Sequence, residues 1–285
     1  MALANGALVQ LKKPAAKNRV WRIPSLNNLE LLRAAHVTQS FPKHTHERYA
    51  VGVIGRGALG FFYRGENVVA APGDVNLCVP GEVHTGQPAL PEGWSYRMFY
   101  LEARTRQRVA ADVAVRPREL PFFQAGVLRD PFLARKIYGL HRLLEQPDTS
   151  LLEQETLLLG VLAQLITRYA DAPLPVVREG REPRAVTQVK DYLEAHYAEA
   201  VSLETLSRQT QLSRYHLVRI FRKAVGVPPH AYLRQVRVAR AKTLLASGQT
   251  PAEVALATGF TDQSHLTRWF KRLWGFTPGQ YRGQY

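Results

Sequence analysis

A chain of 285 residues with 46% hydrophobic content is about twice the length of a typical single domain, so two domains are expected. The formal net charge of +15 and pI of about 10.2 favour a polyanionic partner, nucleic acid ahead of an anionic membrane surface, because each phosphate neutralised by Lys or Arg releases a counterion. A single cysteine, Cys78, excludes an internal disulfide and any CxxC metal or redox motif, no apolar run approaches the roughly 20 residues that span a bilayer, and Met1 to Lys17 lacks a signal-peptide apolar core, so a cytoplasmic protein with no membrane partner is expected.

After an N-terminal arm (residues 1–19), the chain is strand-like and punctuated by turns from Val20 onward. The segments Leu29 to Phe41, Tyr49 to Ile54, Ala58 to Tyr63, Asn67 to Ala71, Val75 to Val79 and Trp94 to Leu101 are separated by Gly55, Gly57, Gly65, Pro72-Gly73, Pro80-Gly81 and Pro91-Glu92-Gly93. Short strands at this spacing predict a β-barrel or sandwich over residues 20–115. From Asp130 the apolar period becomes helical. Leu133, Ile137, Leu140, Leu143 and Leu144 form one stripe, and Leu151, Leu152, Leu158, Leu162, Leu165 and Ile166 form a second. They predict a helical pair within residues 116–170, with more apolar positions than packing on one barrel requires. Residues 171–184, with Pro173, Pro175, Gly180 and Pro183 among charges, read as a linker.

The last region, residues 185–285, contains an internal repeat. A shift of 49 residues superposes nine identities: Glu204/Glu253, His216/His265, Leu217/Leu266, Arg219/Arg268, Phe221/Phe270, Gly226/Gly275, Pro229/Pro278, Tyr232/Tyr281 and Gln235/Gln284. Chance would supply roughly two at ordinary composition. Each copy reads as two helices joined by a tight turn. Ser202 and Ser213 cap the helices of the first, Thr250 with Pro251 and then Asp262 cap those of the second, and Gly226 and Gly275 end the second helix of each. Such pairs form the helix-turn-helix. With Leu217, Phe221, Leu266 and Phe270 facing inward, Tyr215, Val218, Arg219 and Arg222 form an outward stripe in the first copy. Gln263, Ser264, Thr267, Arg268 and Lys271 form the matching stripe in the second. Gln and Arg suit bidentate contact with adenine and guanine edges, and outlying Lys and Arg suit phosphates.

The stretch Ala255-Leu256-Ala257-Thr258-Gly259-Phe260-Thr261-Asp262-Gln263-Ser264-His265-Leu266-Thr267-Arg268-Trp269-Phe270-Lys271, with Gly275-Phe276-Thr277-Pro278 and Tyr281-Arg282, resembles the signature of AraC/XylS-family bacterial regulators. The resemblance covers about residues 185–283. It implies two helix-turn-helix units joined by a long helix, about Pro229 to Ala246, reading successive major-groove segments of double-stranded DNA roughly 34 Å apart. Carried over by position, base contacts fall on Tyr215, Val218 and Arg219 and on Gln263, Ser264, Thr267 and Arg268. Phosphate contacts fall on Arg214, Arg222, Lys223, Lys271 and Arg272. Val218 offers a thymine methyl contact but no hydrogen bond, so the second unit is expected to set more of the operator sequence.

The N-terminal region resembles the cupin-like sensor of that family. Phe41-Pro42-Lys43-His44-Thr45-His46-Glu47-Arg48-Tyr49 looks like the first cupin motif, and Pro72-Gly73-Asp74 with Val79-Pro80-Gly81-Glu82-Val83-His84 looks like the second. His44, His46 and His84 are candidate metal ligands, since HxH on a strand places two imidazoles on one face. The cupin glutamate is missing, with Ala50 or Val51 in its place, so the ligand set is incomplete. The expectation is no metal, no cofactor and no catalysis. Two readings stay open for the imidazoles: hydrogen bonding to a small-molecule effector, or satisfaction within the barrel. Arg48, Tyr63, Glu82, Trp94 and Tyr100 join the three histidines as effector-site candidates, and Cys78 reads as a small buried hydrophobe.

The fold class expected is thus α+β in two domains: an N-terminal cupin-like β-barrel with a helical pair, and a C-terminal all-α double helix-turn-helix. The function expected is an effector-controlled transcription regulator, with activation, an RNA polymerase contact and homodimerisation through the helical pair implied by the resemblance; burial of that pair against the chain's own barrel is the other reading left open for it. A regulator without an effector, governed by a protein partner or by abundance, is the alternative. A metal-dependent enzyme fused to a DNA-binding domain stands behind both.

Overall fold

A computed structural model describes residues 18–102, 109, 111–112, 123–170, 183–275 and 277–282. The expected arm up to residue 17 and the linker over residues 171–182 lie outside the described residues.

Ten strands form two antiparallel sheets. They are β1 (Arg19–Ile23), β2 (Leu29–Val37), β3 (Phe41–His44), β4 (Tyr49–Gly57), β5 (Leu59–Tyr63), β6 (Glu66–Ala70), β7 (Val75–Cys78), β8 (His84–Pro88), β9 (Trp94–Leu101) and β10 (Val127–Leu128). The six-stranded sheet runs β1-β2-β9-β4-β7-β10 and the four-stranded sheet β3-β8-β5-β6. The alternation of side chains along the central strands builds two cores from one sheet. Tyr49, Val51, Val53, Val75, Leu77, Phe99 and Leu101 face outward from the barrel into a core shared with the helices. Ala50, Ile54, Cys78, Trp94 and Met98 face inward, into a separate core between the sheets. The stretch expected as one strand, Leu29 to Phe41, is two: the chain kinks at His36 (φ 55°) near the end of β2, leaves the first sheet after Val37, and enters the second at Phe41.

Two helices follow, α1 (Pro131–Leu143) and α2 (Leu151–Tyr169). Asp130 opens α1 by accepting from the Phe132 and Leu133 amides, and Ser150 opens α2 by accepting from Glu153. Leu152, Leu158, Leu159, Leu162, Leu165 and Ile166 of α2 are all buried. Full burial of one such side chain is worth about 1.5–3 kcal/mol, so α2 is a main organiser of the molecule.

The C-terminal helices are α3 (Pro183–Ala195), α4 (Leu203–Thr210), α5 (Arg214–Val225), α6 (Pro229–Ala246), α7 (Pro251–Ala257), α8 (Gln263–Trp274) and α9 (Pro278–Arg282). The first helix-turn-helix is α4–α5, the second is α7–α8, and α6 is the long helix between them. The apolar surplus of α2 is covered by α4, α5 and α6 of the same chain. Consequently Leu203, Leu206, Leu217 and Phe221 of the first unit belong to one continuous core with α1, α2 and the sheet. The second unit keeps its own core, formed by Val254, Phe260, Leu266 and Phe270 with Val238 and Leu245 of α6.

Candidate nucleic-acid interface and sensor cavity

Both reading helices start and stop by the same chemistry. Ser213 accepts from the His216 amide at 3.2 Å to open α5, and Asp262 accepts from the His265 amide at 2.7 Å to open α8. Each ends on a glycine at φ 84°, Gly226 and Gly275, a left-handed conformation that side chains rarely adopt. Thr250 and Glu253 complete a reciprocal capping box on α7.

The two reading faces differ in exposure. In the second unit Gln263, Ser264, Arg268, Lys271 and Arg272 are exposed and Thr267 is half-buried. In the first, Arg222 and Lys223 are exposed, but Arg214, Tyr215, Val218 and Arg219 are half-buried. The fully outward stripe expected for α5 is therefore corrected. Tyr215 and Val218 pack on the continuous core that contains α2, and the Arg219 guanidinium sits 5.4 Å from the Tyr215 ring centroid. Sequence spacing identified the face of the helix that points away from its own partner helix, but not the packing that half-buries Tyr215 and Val218.

Four acidic side chains of the sensor side meet the DNA-binding half. Asp112 pairs with Arg214 and accepts from the Ser213 hydroxyl through its carbonyl at 2.8 Å. Asp148, in the loop between α1 and α2, lies 2.6 Å from the Arg268 guanidinium. Glu153 pairs with Arg234 of α6 at 2.5 Å, and Glu155 accepts from the Leu203 amide at 2.7 Å, a carboxylate at the N-terminus of α4. None of these carboxylates was legible as a functional residue, because nothing local marks an Asp or Glu whose partner lies 48 to 120 residues away.

In the sensor, a cavity of about 140 Å³ opens between the two sheets, lined among others by His44, His46, His84, Trp94 and Tyr100, five of the eight effector-site candidates. Their ring centroids approach closely: 4.2 Å for His44 and His84, 4.8 Å for His46 and His84, and 5.9 Å for His46 and Tyr100. The other three candidates point elsewhere. Arg48 pairs with Glu30 at 3.0 Å, Glu82 pairs with Arg64 at 2.8 Å, and Tyr63 and Glu82 border a separate groove. Among the lining residues not named as candidates from the sequence are Asn76 and Cys78. The period of β7 is the signal that reveals them, since Val75 and Leu77 face the outer core and the alternate positions must face inward.

Burial sets the protonation of this cavity. It lowers the pKa of His46 and His84 below the usual imidazole value, keeping both rings neutral at pH 7, and pushes the Cys78 thiol up to about 12. His46 Nδ1, Asn76 Oδ1 and Trp94 Nε1 are buried there with no hydrogen-bond partner among the described residues. A larger groove of about 740 Å³, between α1 and the six-stranded sheet, has one such atom among the described residues, Arg33 Nε, against three in the histidine-lined cavity. Unpaired buried polar atoms that converge on a cavity are what a polar ligand satisfies.

Among the described residues no helix is long and apolar enough to cross a membrane. A family model described as an AraC-like ligand binding domain matches residues 26–161, and one described as a helix-turn-helix domain matches residues 206–284. The HTH-type transcriptional regulator YbfI of Bacillus subtilis (strain 168) is 34% identical over 240 residues, covering 84% of this chain and 86% of its own length. The arabinose operon regulatory protein of Salmonella typhimurium is 25% identical over 240 residues, covering 82% of this chain and 83% of its own. Among solved structures, the DNA-binding domain of AdpA in complex with a target DNA is 32% identical, with a TM-score of 0.34, and covers 35% of this chain and 92% of that one. The chain belongs to the AraC family of helix-turn-helix transcriptional regulators, with a cupin-like ligand-binding domain in front of a DNA-binding domain of two helix-turn-helix units.

Proposed function

We propose that this regulator is held off its operator by its own sensor domain and released when a small polar effector enters the barrel cavity. The observation that carries the reading is the pairing of Arg268, exposed on the second reading helix, with Asp148 of the sensor. A guanidinium placed to meet a guanine edge is instead neutralised by a carboxylate, and Arg214 is neutralised likewise by Asp112. The Arg268 side chain is 54% exposed, so that pair alone contributes little. The pairs of Arg214 and Arg234, at 13 and 14% exposure, are the stronger restraints. An effector that favours one barrel state shifts the balance by no more than its differential affinity for the two states, typically about 1–3 kcal/mol.

Activation through an RNA polymerase contact and a homodimeric DNA-bound form complete the reading. In a dimer, α1 is the available surface, since Phe132 and Tyr138 stay exposed on it while α2 is covered.

The test uses the full chain and a duplex selected by it from a random pool, with binding followed by fluorescence anisotropy. Asp112→Asn with Asp148→Asn should tighten binding by about tenfold, and Glu66→Gln on the remote sheet should not. Equal tightening by both would reduce the effect to net charge, and no tightening by the pair would sink the restraint.

A further inference from the structure

We propose that His46, Cys78 and His84 form a metal site in the sensor cavity, selective for a borderline-to-soft transition ion such as Zn²⁺ or Cu⁺. One ligand atom from each residue lies within 4.8 Å of those of the other two. Zn–N bonds of about 2.0–2.1 Å and a Zn–S bond of about 2.3 Å place donors around a tetrahedral ion roughly 3.3–3.7 Å apart. The three therefore close on an ion by about an ångström of side-chain motion. They come from three different segments, the β3–β4 connection, β7 and β8, so no single strand has to bend for this.

The hydrogen bonds around the cluster leave its donor atoms available. His84 Nδ1–H donates to the Glu82 carbonyl at 2.9 Å, which fixes the tautomer with the lone pair on Nε2. A ring nitrogen tied to a backbone carbonyl is the usual outer support of a metal-ligating histidine. His46 Nδ1 is buried without a hydrogen-bond partner among the described residues, so binding gives that atom the partner it lacks. Cys78 Sγ lies 3.2 Å from His84 Nδ1 and 3.6 Å from its neighbour's carbonyl, and holds no strong acceptor that a metal would have to displace. Thiolate with imidazole and no carboxylate selects Zn²⁺ or Cu⁺ over Mg²⁺ or Ca²⁺. Three protein ligands leave a fourth position, beside the His44 ring, open to water or to a donor atom of a small molecule. Binding exchanges the Cys78 thiol proton for the metal, so uptake releases that proton and weakens as pH falls.

The proposal names what the proposed sensing cavity holds, and metal binding is read directly, so its failure leaves the release mechanism untouched. The full chain, purified without a histidine tag, is titrated with Co²⁺ as a spectroscopic probe. A saturating thiolate-to-cobalt charge-transfer band at one equivalent, bleached by Zn²⁺, is expected. Because Cys78 is the one cysteine, its reaction with a thiol reagent is read without ambiguity, and Zn²⁺ should slow it at least about tenfold. Cys78→Ser should abolish the band, and His84→Gln should weaken Zn²⁺ by on the order of 100-fold, with circular dichroism and duplex binding reporting the fold of each variant. Absence of the band in the unaltered chain, or thiol reactivity indifferent to Zn²⁺, overturns the site, and neither result depends on a variant folding. A band that survives Cys78→Ser overturns it as well.

Discussion

The Arg234 guanidinium lies 3.6 Å from the centroid of the Trp269 ring while its Nη2 lies 2.5 Å from Glu153. One side chain of α6 thereby touches the sensor and the back of the second reading helix together. Arg234→Ala leaves Glu153 half-sheltered beside His230, whose Nε2 is 3.9 Å away, and strips the ring of its cation. The expected loss is about 2 kcal/mol, seen as a lower thermal midpoint for the full chain, with Arg234→Lys recovering only part of it because ammonium does not reproduce the planar stacking. Full recovery by lysine would show that charge alone matters.

Phe221 and Phe270 are equivalent by the repeat and equally buried, yet they sit in different cores. Each Phe→Ala change should cost about 3–5 kcal/mol locally. Hydrogen exchange should show Phe221→Ala deprotecting α2 as well as α5, while Phe270→Ala deprotects α7, α8, α9 and the part of α6 that carries Val238 and Leu245 but leaves α2 protected. Identical exchange maps would contradict the shared core.

For DNA recognition, Arg219→Ala and Arg268→Ala should each weaken the selected duplex by about 1–3 kcal/mol and relax preference at one base pair. Gln263, Ser264 and Thr267 beside Arg268 supply more hydrogen-bonding groups than Val218 beside Arg219, so a mutation scan of the duplex should show the stricter half-site under the second unit. A stricter first half-site would reverse that assignment and leave DNA binding intact.

Stability should fall with pH through a histidine far from either site. Arg97 can only donate, so His141 Nδ1, 2.9 Å away, must accept; the ring is neutral and its Nε2–H donates to the Leu32 carbonyl at 3.1 Å. Burial and the Arg97 cation lower its pKa to about 4. The unfolded chain takes up this proton below about pH 6.5 and the folded chain does not, so the stabilisation is complete above 6.5 and is lost as pH falls toward 4. At pH 5 the loss is on the order of 2 kcal/mol. Denaturant midpoints at pH 7 and pH 5 should converge in His141→Gln relative to the unaltered chain, and an unchanged gap would remove His141 from the account.

The exposed face of α1 gives the oligomer test. Phe132 is 52% exposed, and the Lys136 ammonium lies 4.4 Å from its ring centroid. Phe132→Asp should shift sedimentation at micromolar concentration from dimer to monomer. A chain that is monomeric before the change and on DNA excludes the dimer.

Much of this architecture is periodic and therefore legible. Alternation along Val75 to Val79 and Trp94 to Leu101, capping residues at Ser213 and Asp262, and the 49-residue repeat are all local or self-similar signals. β8 was missed because His84–Pro88 has a glycine and no apolar alternation, its strand pairing being imposed by β3 and β5 on either side. β10 is two residues long and exists only through β7. The extra leucines of α2 are legible as a surplus, but the sequence leaves open a second copy or the chain's own barrel as their cover, where the structure uses α4, α5 and α6. Tyr215 and Val218 are half-buried against a core that spans both halves of the chain, and Asp148 pairs with Arg268 across 120 positions that no local pattern connects.

The unequal cores also give the regulator an order of engagement. The second unit, folded on its own apolar centre with Gln263 and Ser264 open to solvent, is the hand that can grip first, whereas the first unit is part of the body it would have to leave. On the proposed reading, contact with DNA begins at one half-site once the Arg268–Asp148 pair parts, and the second grip waits on the detachment of α5 from α2. Tethering through α6 makes that later step intramolecular.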